Sequence, residues 1–108
     1  MTNENLKHFK SVIRSRLRSL GYFKIEIENE QDRRFNVIAN GLLREIFLLV
    51  TIYSTSEQIS TLTKEEVDTI KAEAEKIEKE PWVAFMQVNE SGESVEHIQW
   101  KNLSKPRV

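Results

Sequence analysis

Lys7, Lys10, Arg14 and Arg18 are the residues whose type and spacing most suggest chemistry. Their steps of three and four align them along one side of a helix. Cations arranged so can contact successive phosphates. They can equally form a solvated helix face that complements acidic neighbours. Charge is unevenly distributed along the chain. Residues 1–24 hold six basic side chains against one acidic, whereas residues 25–108 hold ten against sixteen, for a net charge of −1. A basic element on a near-neutral protein suits an anionic partner, so DNA or RNA is the partner class this helix suggests.

Other chemistry has little support. The chain has no cysteine, which excludes a disulfide framework and a thiolate metal site. His8 and His97 are isolated and expected at the surface. Gly21, Gly41 and Gly92 are scattered, so no phosphate-cradling loop is visible. Serines and threonines gather in residues 54–63 without a base partner. Trp82 and Trp100 read as packing residues rather than stacking platforms. No apolar run approaches the ~20 residues that span a membrane, and residues 1–5 lack the apolar segment of a secretory signal. The expectation is a cytoplasmic protein with no membrane association and no cofactor.

At 108 residues, with 39% hydrophobic and 31% charged content, the chain reads as one globular domain, residues 1–108. Its core spans about 4–100, with a flexible tail over 101–108. Leu6, Phe9, Ile13, Leu17 and Leu20 form the apolar face of a helix over residues 4–20, stopped by Gly21. Phe23, Ile25 and Ile27 alternate with charged residues as a half-buried strand. Residues 29–34 read as a loop. Phe35, Val37 and Ala39 alternate again, and Ile38 suggests that this second strand is covered on both faces. Asn40-Gly41 predicts a tight hairpin turn, because both residues tolerate positive φ.

A third strand follows over 44–53, with a continuous apolar run at 46–50 that marks burial on both sides. Residues 54–62 read as a loop. Thr63 and Glu66 fit a capping box for a second helix, whose inner face is Val67, Ile70, Ala74 and Ile77. Lys71, Lys76 and Lys79 are spaced to pair with Asp68, Glu73 and Glu75 on its outer face. Pro81 sets the latest point at which this helix can end. Residues 82–88 form a second apolar strand, 89–93 a turn, and 95–100 a mixed strand at the sheet edge. The order is α-β-β-β-α-β-β, an α/β (α+β) class with a central mixed sheet flanked by two helices. The third strand, second helix and fourth strand form a crossover that makes the two apolar strands parallel neighbours.

An opening helix ending in Leu20-Gly21-Tyr22-Phe23, then Asn36-Val37-Ile38-Ala39, the strand 46–52 and Pro81-Trp82-Val83-Ala84-Phe85, resembles the PD-(D/E)XK nuclease superfamily. Within it, the pattern is most similar to the Holliday-junction-resolvase-like branch, over about residues 4–88. The resemblance implies a restriction-endonuclease-like fold. It also implies Asp-Val-Ile-Ala in the second strand and Glu-x-Lys in the third, where two carboxylates bind Mg²⁺ and the lysine assists hydrolysis. Here those positions fall on Asn36, Leu49 and Thr51. Two lost carboxylates and a lost cation imply a degenerate site with no metal and no catalysis. Asp32 and Glu45 lie in the right region to be considered as substitutes. Glu4 lies farther from Gly21 than a first-helix glutamate should, and His8 and Lys10 occupy nearer positions.

Three functional expectations follow. The first is an inactive nuclease-like domain that binds nucleic acid through Lys7, Lys10, Arg14 and Arg18. The second is a protein-interaction module, since secretion chaperones have a similar element order; here it would be a homodimer meeting through strand 95–100, although a closing helix after that strand is missing. The third is a divergent metal-dependent nuclease relying on Asn36.

Overall fold

The computed structural model describes residues 3–31, 33–55 and 62–104. Its elements are α1 (Asn3–Ser19), β1 (Tyr22–Gln31), β2 (Arg34–Gly41), β3 (Glu45–Ser54), α2 (Lys64–Lys76), β4 (Glu80–Val88) and β5 (Val95–Asn102). The five strands form one mixed sheet in the order β1-β2-β3-β4-β5. All neighbours are antiparallel except β3 and β4, which are parallel, as the crossover through α2 requires. The class is α+β, with the expected element order. No helix among the described residues is long and apolar enough to cross a membrane.

Strand alternation divides the core into two layers. Phe35, Val37 and Ala39 of β2 and Ile46, Leu48, Val50 and Ile52 of β3 pack against Phe9, Ile13 and Leu17 of α1. Phe47, Leu49 and Tyr53 of β3 and Val83 and Phe85 of β4 pack against Ile70 and Ala74 of α2. This explains the unbroken apolar run of β3: each face of the strand meets a different helix. Ile38 joins the α2 layer, so β2 is covered on both faces as expected.

The helix ends follow local chemistry. Gly21 closes α1 with φ of 101°, and its N–H donates to the Arg18 carbonyl at 3.0 Å. The Thr63 hydroxyl accepts from the Glu66 N–H at 3.1 Å, while the Glu66 carboxylate accepts from the Thr63 N–H at 3.0 Å, completing the capping box. The α2 helix stops earlier than Pro81 alone would demand. Glu78 takes φ of 56°, and the Glu78 and Lys79 N–H groups return to the Glu75 and Ala74 carbonyls at 3.1 and 2.9 Å. That is a Schellman closure with a glutamate where glycine is favoured.

Several local expectations are corrected. Residues 29–34 are mostly strand: β1 runs on to Gln31 and β2 starts at Arg34, with Asn29 and Arg33 at positive φ. Asp32 lies outside the described residues. Phe23 is 66% exposed, because a register shift between Tyr22 and Lys24 turns Tyr22 toward the core instead. The Asn40-Gly41 pair lies within β2, and the turn falls on Leu42-Leu43, closed by the Gly41 N–H donating to the Arg44 carbonyl at 2.8 Å. Tertiary contacts outcompete the turn preference. The Asn40 side chain accepts from Lys79 Nζ at 2.7 Å. A Cβ on Gly41 would lie 3.0 Å from the Gly21 carbonyl oxygen. Lys79 also pairs with Glu45 at 2.9 Å rather than with a helix neighbour. Of the ion pairs expected along α2, Lys76 with Glu73 forms, at 4.0 Å.

The C-terminal segment is ordered further than expected. Lys101 and Asn102 extend β5, and Leu103 is buried in the α2 layer with its N–H donating to the Pro81 carbonyl at 2.9 Å. Residues 105–108 of the expected tail, and 56–61 of the expected loop, lie outside the described residues.

Candidate functional site: the cleft between β2 and α2

Asn36 and Leu49 are cross-strand partners on the sheet face that α2 covers. They share the floor of an open cleft of about 750 Å³, together with Phe47 and Ile70. The walls carry Glu30, Arg34, Glu65, Glu66 and Glu73. This is where the resemblance would place a metal site, so the fit of its residues is testable. Leu49 supplies no ligand and is buried in the α2 layer. The Asn36 Oδ1 already accepts from Asn29 Nδ2 at 3.2 Å. Thr51 is the cross-strand partner of Arg34 and does not line the cleft.

Glu66, Glu30 and Glu45 each have another partner. Glu66 is engaged twice, by the Thr63 N–H and by the Arg34 guanidinium. These donors hold its carboxyl below the usual carboxylate range, the Thr63 backbone bond contributing most. Glu30 pairs with Lys10 of α1. Glu45 starts β3 four positions before Leu49, about 13 Å along the strand, and is held by Lys79. No group of three or more His, Cys, Asp or Glu side chains among the described residues is placed to hold a metal. Among the described residues, those lining the cleft do not fit a divalent cation. They form an apolar floor crossed by the Arg34–Glu66 ion pair, a link that sequence spacing could not reveal because 32 positions separate its partners.

The sheet's other side presents the basic helix. Lys7, Arg14 and Arg18 share one stripe along α1, to one side of the buried Phe9, Ile13 and Leu17. None of the three forms an ion pair among the described residues. Lys10 stands apart from them: it sits at the flank, mostly buried, and binds Glu30 at the end of β1. His8 and His97 are exposed and far apart in the chain, on α1 and β5. Trp82 and Trp100 pack against the α1 layer, and the Trp82 indole N–H donates to Glu80 at 2.7 Å.

No family model and no curated protein matches the chain.

Proposed function

We propose that this chain is a non-catalytic, cytoplasmic domain on a nuclease-like scaffold that binds nucleic acid through one face of α1. The observation that carries this reading is the stripe of Lys7, Arg14 and Arg18, three cations on one helix face without acidic partners among the described residues. At 1.5 Å of rise per residue they cover about 16 Å, enough to follow several phosphates. The β2–α2 cleft is a poor alternative for a polyanion, since four glutamates and one arginine line it.

Loss of hydrolysis rests on Asn36, Leu49 and Thr51, which supply neither two carboxylates nor a lysine. A divergent nuclease would need a ligand set that the described residues do not assemble. The test is fluorescence anisotropy with labelled duplex, branched and single-stranded DNA and with RNA, at low and moderate salt. Micromolar binding that weakens steeply with salt, with no cleavage in Mg²⁺ or Mn²⁺, is expected. Absence of binding at low salt, or an affinity indifferent to salt, would remove nucleic acid from the reading. Metal-dependent cleavage would restore the enzyme.

A second reading, a protein-interaction module, is favoured by a different observation: an apolar groove with exposed leucines at one end of the sheet.

A further inference from the structure

One end of the molecule is apolar. Leu17 and Leu20 from the end of α1, Tyr22, Ile46, Trp82 and Trp100 line an open groove of about 780 Å³. The β2–β3 turn borders it, with Leu42 and Leu43 at 90% and 96% exposure. Leu20, expected in the core, is instead 63% exposed on this groove. Among the described residues, three of the five exposed large hydrophobics therefore meet at this one place. A contiguous apolar patch of this kind marks an interaction surface.

The turn itself does not explain its leucines. Neither has positive φ, and turn chemistry favours Gly, Asn, Asp, Ser or Pro at such positions. Neither belongs to a core cluster. Their side chains stand in solvent, beside a hollow that could bury leucine side chains from elsewhere.

We infer that this end is a self-association surface, on which a second copy of the chain docks about a two-fold axis, each copy placing Leu42 and Leu43 in the other's groove. Three features favour a second copy over an unrelated partner. An isologous contact uses one patch twice, so the patch must contain both projection and hollow, and this one does. The charges beside it are also self-complementary. Arg44 lines the groove, and Glu80 accepts at 2.7 Å from the indole N–H of Trp82, which also lines it; a two-fold turns one charge of each sign into two reciprocal pairs. Finally, the sheet edges are unsuited to pairing. Lys24, Glu26 and Glu28 stud β1, and Glu96, His97, Gln99 and Lys101 are exposed on β5, which guards both edges against strand addition. The contact is thus at the end of the sheet rather than along strand 95–100. The groove lining includes none of Lys7, Arg14 and Arg18.

Analytical ultracentrifugation of the full chain over a wide concentration range tests this. The wild-type protein should approach twice its 12.7 kDa mass, with the Trp82 and Trp100 emission shifting to the blue as concentration rises. Leu42→Asp with Leu43→Asp should raise the dissociation constant about a hundredfold or more with an unchanged circular dichroism spectrum, since neither leucine touches the core. Arg44→Glu, which reverses one charge and leaves both turn leucines in place, should weaken the dimer about tenfold. A wild-type monomer at every concentration overturns the inference, and so does a dimer that survives the double substitution.

Discussion

Asn36 and Leu49 stand directly opposite each other on β2 and β3, and their side chains share the cleft floor beneath α2. Opposed residues on neighbouring strands hold their Cβ atoms about 4.5–5.5 Å apart. Two carboxylates at these positions would therefore lie close enough to share one cation. Asn36→Asp with Leu49→Glu is expected to cost about 2–4 kcal/mol without metal, because the introduced glutamate would be charged among apolar neighbours and beside the introduced aspartate. Millimolar Mn²⁺ should recover part of that loss and raise the melting temperature of the variant only. Thermal melts with and without Mn²⁺ check it. An equal response from the wild-type chain, or none from the variant, would show that this pair is not a latent metal site.

The Thr63–Glu66–Arg34 cluster joins the start of α2 to β2 and carries a pH signature. Its donors lower the Glu66 pKa relative to the free side chain. A lowered folded-state pKa means that the contribution is complete above the ordinary carboxylate value. It is lost as pH falls through the folded value. Glu66→Gln should cost about 1 kcal/mol at pH 7, and the difference from wild type should vanish in acid. Urea titrations at pH 7 and near pH 3 test this. A difference that persists undiminished at pH 3 would mean that the ionised carboxylate is not what matters.

How far this cluster is legible shows what a sequence can and cannot express. The capping box is local, with spacing set by one helical turn, so Thr63 and Glu66 announce it directly. The double burial of β3 is also local, since an unbroken apolar run has no solvent face to offer. The Arg34–Glu66 pair has no such signature, because it exists only once β2 and α2 meet. The turn at Leu42-Leu43 escapes the sequence for a related reason. Asn40-Gly41 carries a strong local signal, but Lys79 claims the Asn40 side chain and the Gly21 backbone leaves little room for a Cβ at Gly41. Both contacts come from elements remote in sequence. The floor of the candidate cleft is legible as Asn36 and Leu49 on successive strands, while its acidic walls and its bridging ion pair are not.

The closure of α2 places Glu78 at φ of 56°, a conformation that costs a residue with a Cβ about 1 kcal/mol relative to glycine. Glu78 makes no ion pair among the described residues that would offset this. Glu78→Gly should be neutral to stabilising, by up to about 1 kcal/mol, despite glycine's greater freedom when unfolded. Most glycine substitutions at a helix border would do the reverse. A clear fall in the denaturation midpoint would indicate that the left-handed turn is not occupied in solution.

Tyr53 lies in the α2 layer, and its hydroxyl has no hydrogen-bond partner among the described residues. Burial raises its pKa, as expected for a phenol whose charged form is poorly solvated. Tyr53→Phe removes the orphaned donor and keeps the ring, so it should stabilise the fold by about 1 kcal/mol. Loss of stability in this variant would require a partner for the hydroxyl.

The α1 stripe gives the sharpest test of nucleic-acid binding, because salt dependence reports contacts rather than affinity alone. Each phosphate neutralised by a cation contributes about 0.9 to the slope of log affinity against log salt on duplex DNA. If Lys7, Arg14 and Arg18 each hold one, replacing all three with alanine should lower the magnitude of that slope by about 3. Arg16→Ala, on the flank of α1 outside the stripe, should change it by less than about 1. Lys10→Ala removes a cation already paired with Glu30, so it should loosen α1 from β1 and lower stability more than it changes the slope. Titrations of each variant at four or more salt concentrations separate these cases. Equal slope losses from Arg16 and from the stripe would point to diffuse attraction by a basic helix, with no defined track for the backbone.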